Sequence, residues 1–520
     1  MQAHIPTRNG AKALAMRFSQ LTSEQKLALR TNLQSLIDVI GNQLEHGTLL
    51  SGSNVQLLVQ QDLAELFFLK FGLRLDPVVK YNNEILVWRQ KILQELSPAP
   101  IFPDVMKMAA CPESIADTTD QPHRLPRTHL LVFAIECDTI SRLAKGWTER
   151  LTCVWKALTQ QVESKTGSTA VAAMKVVSLT KCFMFLAECV RALLMKDPTT
   201  KKSPFDIVAA LAAEQGFWTA ARVTDGKFHG SACQRERVYV VGMYVGKEKA
   251  QQCLADEGPC AWDVALDEAL ATLAISPLPI TSFLLSDEEI KQIVEEDRPG
   301  ELKAAKQIAK RKAKAKAKAN ATIIDQQTGA EPATNKYEVD HCQAYCSHGL
   351  PYPPEFSREW LSKAGFTSRR VHEIVYLAQT IHPLHSMTSW FACDTNMSFG
   401  WSKWYENSLP CIVSSAQIWI RGKLDDGSFI DRRLEGAECL AIMGFDMARQ
   451  PAAMRALSYS NKVDLAGTMF DANTVSTFLL AMYATLPLAD AAKLMSEHLA
   501  GGLRYCCYFK FNFVRNHHRQ

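Results

Sequence analysis

The chain has 520 residues, of which 47% are hydrophobic, and 58 lysines and arginines face 54 acidic residues for a net charge of +4. This length and hydrophobicity allow at least one large buried core and favour about two or three structural units. The mild charge excludes a polycation that coats nucleic acid through its phosphates without regard to sequence. Any contact with nucleic acid must therefore be local.

The cysteines and the apolar runs indicate where the protein resides. Fifteen cysteines follow no repeating framework, which is typical of reduced thiols in an intracellular protein. No uninterrupted apolar run approaches the roughly 20 residues that span a bilayer, and the N-terminus has no apolar stretch after a basic start. The sequence predicts a nuclear or otherwise intracellular protein with no membrane partner.

The first predicted element is a helix. The run Thr22-Ser23-Glu24-Gln25 has the pattern of a capping box, apolar residues follow it at helical spacing, and Gly47 marks the predicted end. We interpret residues 1–50 as an N-terminal helical extension.

A different rhythm begins at Val55, where short apolar runs alternate with helical patterns. This alternation predicts a parallel sheet flanked by helices. The predicted strands are 55–59, 77–79, 129–135, 182–187 and 237–241, and the predicted helices are 63–71, 85–96 and 204–215. The sequence predicts a doubly wound α/β domain whose first part spans residues 51–246.

A lysine-rich segment interrupts this regularity within residues 286–335. Lysine alternates with alanine between Lys310 and Lys318, and polar residues follow. We interpret the segment as a solvated linker, with a nuclear-import or DNA-backbone-binding segment as the alternative. Globular composition returns after Lys336, so we predict an inserted smaller region over 247–409 and a return to the first domain over 410–520.

Residues 204–242 carry the strongest chemical pattern. A capped helix leads to a loop that holds Arg235 and Arg237, and an apolar strand follows at once. Alternate arginines at a strand entrance can point the same way and grip a carboxylate or a planar base edge with several rigid donors.

This segment resembles the DNA cytosine-5 methyltransferase family, whose motif at this place reads proline-glutamine-x-arginine-x-arginine. Arg235 and Arg237 match that motif, whereas Ala232 and Cys233 replace its proline and glutamine. The pattern Arg-x-Arg alone is weak evidence, so the resemblance depends on further motifs in the family's order.

Three further segments follow that order. Glu188 in Glu-Cys-Val is similar to the family's glutamate-asparagine-valine segment, and Cys137 with Ser141 is similar to its nucleophile loop. Gly467 and Thr468 resemble the glycine-asparagine pair that precedes the last helix.

The resemblance implies a Rossmann-like S-adenosylmethionine-dependent methyltransferase domain with an inserted target-recognition region that contacts DNA. By this resemblance, Cys137 is the nucleophile that adds to a cytosine flipped out of the duplex, and Glu188 handles a proton at the ring nitrogen. Arg235 and Arg237 would fix the base while S-adenosylmethionine supplies the methyl group. The acidic neighbours Glu136 and Asp138 oppose thiolate formation, because they raise the pKa of a thiol.

The predicted donor site departs from the family. We place its turn at Val59-Gln60-Gln61-Asp62, where no glycine remains and a bulky acidic loop would crowd the donor. After the next strand the family has an acid that binds the ribose hydroxyls, and by the resemblance Asn82 or Asn83, rather than Glu84, stands there. The remaining donor contacts expected by resemblance are Asp104, Gly467 and Thr468.

Three functions stay open from the sequence: methylation of cytosine in DNA, methylation of transfer RNA, and a non-catalytic scaffold of this fold. The scaffold would bind DNA or another methyltransferase. A donor pocket near Asp104 that accepts S-adenosylmethionine would distinguish an enzyme from a scaffold.

A metal site was also considered at His341, Cys342, Cys346 and His348. Their spacing fits no standard zinc knuckle, so the sequence predicts no metal.

Overall fold

The computed structural model describes residues 9–50, 52–135, 165–197, 200–256, 258–286, 288–291, 336–354, 369–383, 388–396, 404–446 and 449–500. The predicted nucleophile Cys137, its neighbours Glu136, Asp138 and Ser141, and the lysine-rich run 310–318 lie outside these ranges.

Strands occur in both halves of the described chain. They are β1 (Gln43–Leu49), β2 (Asp76–Asn83), β3 (Ile101–Phe102), β4 (Ile115–Ala116), β5 (Pro122–His123), β6 (Leu130–Ala134), β7 (Met184–Cys189), β8 (Phe217–Asp225), β9 (Glu236–Tyr244), β10 (Phe391–Asp394), β11 (Tyr405–Glu406), β12 (Ile418–Lys423) and β13 (Phe429–Arg433).

Helices surround these strands. They are α1 (Asn9–Gln20), α2 (Ser23–Ile40), α3 (Val55–Phe71), α4 (Val87–Leu96), α5 (Val105–Ala110), α6 (Lys165–Thr180), α7 (Pro204–Glu214), α8 (Lys247–Ala255), α9 (Ala261–Thr272), α10 (Lys336–Ser347), α11 (Arg369–Ile381), α12 (Gly436–Ile442), α13 (Ala452–Arg455), α14 (Tyr459–Thr468), α15 (Ala472–Thr485) and α16 (Leu488–Ala500).

The central sheet has seven strands in the order β3-β2-β1-β6-β7-β9-β8. Its first five strands are parallel, and β9 pairs antiparallel with both β7 and β8. The strand order reverses between β1 and β6, and in open α/β sheets ligands bind outside the carboxyl ends of the strands at such a point. The predicted α/β, Rossmann-like fold class is confirmed by this topology.

Strand β1 corrects the first prediction. The capping box at Thr22 and Gln25 is present, but α2 ends at Ile40 and the next residues form β1 rather than more helix. The strand lies at the centre of the sheet although it contains His46 and Thr48, which are fully buried. Gly47 allows the Tyr81 ring of the neighbouring strand to approach, because a Cβ there would overlap that ring.

Helix α3 corrects the second prediction. Residues 55–71 form one continuous helix, so the predicted strand 55–59 and the predicted donor turn 59–62 are both wrong. Gln60 and Asp62 are buried helical residues, and Asp62 accepts two hydrogen bonds from Arg449 at 3.0 and 2.8 Å. Apolar side chains on several faces of α3 explain the error, because such a helix lacks the one-sided pattern of a typical surface helix.

The C-terminal part returns to the central domain. Helix α15 is buried along most of its length and packs on α1, α2, α3 and α9. Within the described residues no single helix is long and apolar enough to cross a membrane, and only the bent pair 459–485 and 488–500, at 80°, passes a test of length and composition.

The inserted region divides differently from the predicted range 247–409. Helices α8 and α9 pack on the central domain, and Leu266 and Leu273 belong to its core. A second sheet, in the order β11-β10-β12-β13, combines strands from both sides of residue 409.

Burial of His46 should make the fold sensitive to acid. Burial lowers its pKa to about 4 from an ordinary 6.5, so the folded state binds a proton less readily than the unfolded chain. The stability present above pH 6.5 is therefore lost as the pH falls toward 4, by up to roughly 3 kcal/mol. We expect His46→Leu to lose less stability than the wild type between pH values of about 7 and about 4.5 in urea unfolding. An equal loss in both proteins would contradict this account.

Candidate active site

A carboxylate and two arginines meet at the carboxyl end of β7. Glu188 is buried, and its Oε1 lies 3.0 Å from Nε of Arg237 and 3.7 Å from Nη2 of Arg235. Register explains the meeting, because Glu188 pairs with Tyr239 across the β7–β9 ladder and both arginines lie at or just before the start of β9. Three of the four residues predicted as catalytic are therefore neighbours.

The two arginines have different surroundings. Arg235 is almost fully buried and donates to the carbonyls of Ile412 and Gly467, both at 3.2 Å, and to that of Met469 at 3.0 Å. Arg237 is more exposed and donates to the Cys411 sulfur at 3.8 Å. Arg235 therefore joins the C-terminal segment to the sheet, and Arg237 is the arginine with more access to a ligand.

Ile135, the last described residue before the predicted nucleophile, lies beside this cluster. The amide of Ile135 donates to the carbonyl of Glu188 at 2.8 Å, which fixes the end of β6 beside the end of β7. Cys137 is two residues further on and outside the described residues, so its side-chain position is not part of this geometry.

The loop between β1 and α3 supplies the glycine turn that the sequence interpretation missed. Leu50, Gly52 and Asn54 all have positive φ, at 55°, 71° and 54°. Glycine adopts this conformation without strain, and asparagine tolerates it better than most residues. The Ser51-Gly52-Ser53-Asn54 sequence was the available signal, since glycine, serine and asparagine cluster at turns.

The end of β2 lies beside this turn. Asn82 is fully buried, and its Oδ1 accepts hydrogen bonds of 3.0 Å from both Thr48 and Asn54. Asn83 donates to the carbonyl of Phe102 at 2.8 Å. The predicted ribose ligands therefore brace the strand ends, while Glu84 places a carboxylate directly after β2. Burial raises the pKa of Glu84, and the Leu86 amide and Arg89 partly oppose that rise.

The other expected donor contacts lie on the same edge. Asp104 follows β3 and caps α5 by accepting from the amide of Met106 at 2.8 Å. Gly467 packs so closely on the 413–414 backbone that a Cβ would overlap it. The next residue, Thr468, has its hydroxyl 3.7 Å from the position of a Cβ on Gly52. The end of α14 thus touches both the glycine turn and, through Arg235, the Glu188 cluster.

Arg89 fills the space between these donor contacts. Its Nη2 lies 2.8 Å from Asp464, its Nη1 lies 3.8 Å from Glu84, and Nη1 would be 3.2 Å from a Cβ on Gly52. The turn, the carboxylate after β2 and Thr468 fit a nucleoside-containing donor in type and position, provided that the Arg89 side chain turns away.

The possible metal site is not assembled. His341 is fully buried with Nδ1 2.6 Å from Glu373, whereas Cys342 and Cys346 face each other at 4.0 Å nearer the surface. Among the described residues no three His, Cys, Asp or Glu side chains could together hold a metal ion.

Comparison with known proteins gives structural matches only. No family model matches the chain, and no curated protein matches it. Similar solved structures include the Dnmt2 methyltransferase of S. pombe, with 9% identity, a TM-score of 0.40, and coverage of 85% of this chain and 98% of that one. The Entamoeba histolytica methyltransferase EhMeth gives 8%, 0.39, 85% and 98%, and a mutant of Spodoptera frugiperda DNMT2 gives 11%, 0.36, 85% and 99%.

Because Arg235 and Arg237 have different surroundings, replacing each of them should lower the free energy of unfolding by a different amount. Arg235→Met leaves three carbonyls and Glu188 without this partner in a buried place, so we expect a loss of roughly 3–5 kcal/mol in the free energy of unfolding. Arg237→Met should cost only about 1–2 kcal/mol, because Glu188 keeps Arg235 nearby. Urea unfolding of both variants measures the contrast, and equal losses would contradict the structural role of Arg235.

Proposed function

We propose that this protein transfers a methyl group from S-adenosylmethionine to carbon 5 of cytosine in DNA. The observation that carries the proposal is the meeting of Glu188 and Arg237 at the carboxyl end of β7, beside the strand that leads into Cys137. In this reaction a thiolate adds to carbon 6 while an acid and an arginine hold the ring nitrogen and the base edge. The sequence places those three residue types in this order.

Glu188 and Arg237 have distinct tasks in the proposal. A carboxylic acid within hydrogen-bond reach of the ring nitrogen stabilises the negative charge that develops there when the thiolate adds. Arg237 lies 3.0 Å from that carboxylate and orients it, and the arginine can also donate to the base. We assign Arg235 a structural role, because its guanidinium donates hydrogen bonds to three backbone carbonyls.

The donor would lie at the edge formed by the ends of β1, β2 and β3. The glycine turn at Gly52 would receive its amino-acid portion, and Glu84 would accept hydrogen bonds from the ribose hydroxyls. Thr468 borders the space over Gly52, and Asp104 follows β3 at the same edge of the sheet. When bound, S-adenosylmethionine supplies an electrophilic methyl group on a sulfonium.

A scaffold without activity is the second candidate, and the position of Arg89 favours it. A buried arginine between two carboxylates fills the space over Gly52. If that arrangement is permanent, the fold serves only as a surface for DNA or for another methyltransferase.

Covalent trapping tests the nucleophile without the donor. Pyrimidin-2-one lacks the 4-amino group of cytosine, so a thiolate adds to it readily at carbon 6. We expect DNA that carries this base to form an adduct with the wild type that survives denaturing electrophoresis. Cys137→Ser should form none, and Cys111→Ser, which changes an exposed thiol, should behave as the wild type.

Methyl transfer from radiolabelled donor then tests the reaction. Glu188→Gln should reduce transfer to DNA by about 10²-fold or more, because it removes the acid. Transfer to transfer RNA but not to DNA would overturn the choice of substrate. Absence of both the adduct and methyl transfer in the folded wild type would leave the scaffold.

A further inference from the structure

We infer that Arg89 is an internal gate of the donor site, which occupies the place of the donor and must withdraw before the donor binds. The inference rests on the proposed function, because the ligand is the methyl donor of that reaction. It goes beyond that function by assigning a residue that controls access to the site.

The position of Arg89 places its guanidinium over the glycine turn. Arg89 lies in the first turn of α4, and its guanidinium extends over Gly52, where Nη1 would be 3.2 Å from an added Cβ. The glycine turn leaves this space free of its own side chain, and Arg89 fills it from the neighbouring element. A donor that approaches the Gly52 backbone must take the same volume.

The positive charge of Arg89 is paired with two carboxylates. The guanidinium bridges Asp464 at 2.8 Å on α14 and Glu84 at 3.8 Å after β2, and the side chains of Arg89 and Glu84 keep only 10% and 5% of their exposure. Glu84 is the carboxylate that would face the ribose. Arg89 therefore competes with the donor for both the space and the polar partner.

The Arg89 side chain can withdraw from the space over Gly52. Asp464, the closer partner, keeps 34% of its side-chain exposure, so one side of the site is near solvent. Arg89 has a long flexible side chain and already lies 4.9 Å from the centre of the Trp88 ring, an alternative surface for a guanidinium. Ribose hydroxyls could then replace Arg89 as hydrogen-bond donors to Glu84.

Calorimetric titration of the full chain with S-adenosylhomocysteine and with S-adenosylmethionine tests the gate. We expect Arg89→Ala to bind both compounds at least 10-fold more tightly than the wild type. The first compound lacks the positive sulfonium, so a gain for both indicates release of space and of Glu84. A gain for S-adenosylmethionine alone would reflect charge repulsion only and would overturn the gate.

Two further variants keep the test decisive. Arg74→Ala removes an arginine from the exposed pair with Asp76 at the start of β2 and should bind as the wild type. Asp464→Asn removes the closer anchor of Arg89 and should tighten binding several-fold, which gives a result even where Arg89→Ala fails to fold. Unchanged, weaker or undetectable binding in the folded Arg89→Ala and Asp464→Asn proteins would overturn the gate.

Failure of the gate can be told apart from failure of the proposed function. The pyrimidin-2-one adduct at Cys137 forms without a donor, so it reports on the nucleophile whatever Arg89 does. An adduct together with unchanged donor binding would reject the gate and keep the proposed reaction.

Discussion

The guanidinium of Arg235 is the interaction on which the arrangement of the site depends. It binds the carbonyls of Ile412, Gly467 and Met469, which lie far from it in sequence, and it lies 3.7 Å from Glu188. A lysine could not satisfy three separate carbonyls in this way, because the planar guanidinium directs five donors in fixed directions. This one side chain therefore positions the end of α14 against the strand that carries the acid.

The same contact links the two halves of the site. Gly467 accepts from Arg235, and Thr468, its neighbour, lies against the glycine turn at Gly52. The close approach of Gly467 to the 413–414 backbone leaves little room for this helix end to move independently. The Gly52 turn and the Glu188 cluster thus share contacts with the end of α14, which the C-terminal part of the chain supplies.

The continuous apolar strands of the sheet could be predicted from the sequence, whereas the inner strand β1, which contains polar residues, could not. Strands β6 and β7 were predicted closely because they are continuous apolar runs, as is typical of buried parallel strands. Strand β1 was missed because His46 and Thr48 are buried inside it, and the mostly apolar start of helix α3 was predicted as the first strand in its place. Because the first strand was predicted at 55–59, the donor turn was also predicted too late in the chain, at 59–62 rather than around Gly52.

The candidate site shows the same division. Glu188, Arg235 and Arg237 could be predicted because they stand in short segments that resemble family motifs, although those motifs did not reveal that Arg235 is held by backbone carbonyls. Asn82 was predicted at the ribose by the family resemblance, but its amide oxygen accepts hydrogen bonds from β1 and from the residue before α3. Such contacts depend on residues distant in sequence, and no local pattern records them.

Arg89 lies over the glycine turn at Gly52 and limits the space that a ligand could occupy there. The glycine turn, the carboxylate after β2 and the flanking Asp104 all remain at the carboxyl edge of the sheet. The Arg89 guanidinium lies between the Glu84 and Asp464 carboxylates and stabilises this edge, because a buried carboxylate such as Glu84 is costly without a nearby cation. On the proposal that Arg89 is a gate, a donor would have to break this ion pair, so the strength of the pair would set how readily the site takes up the donor.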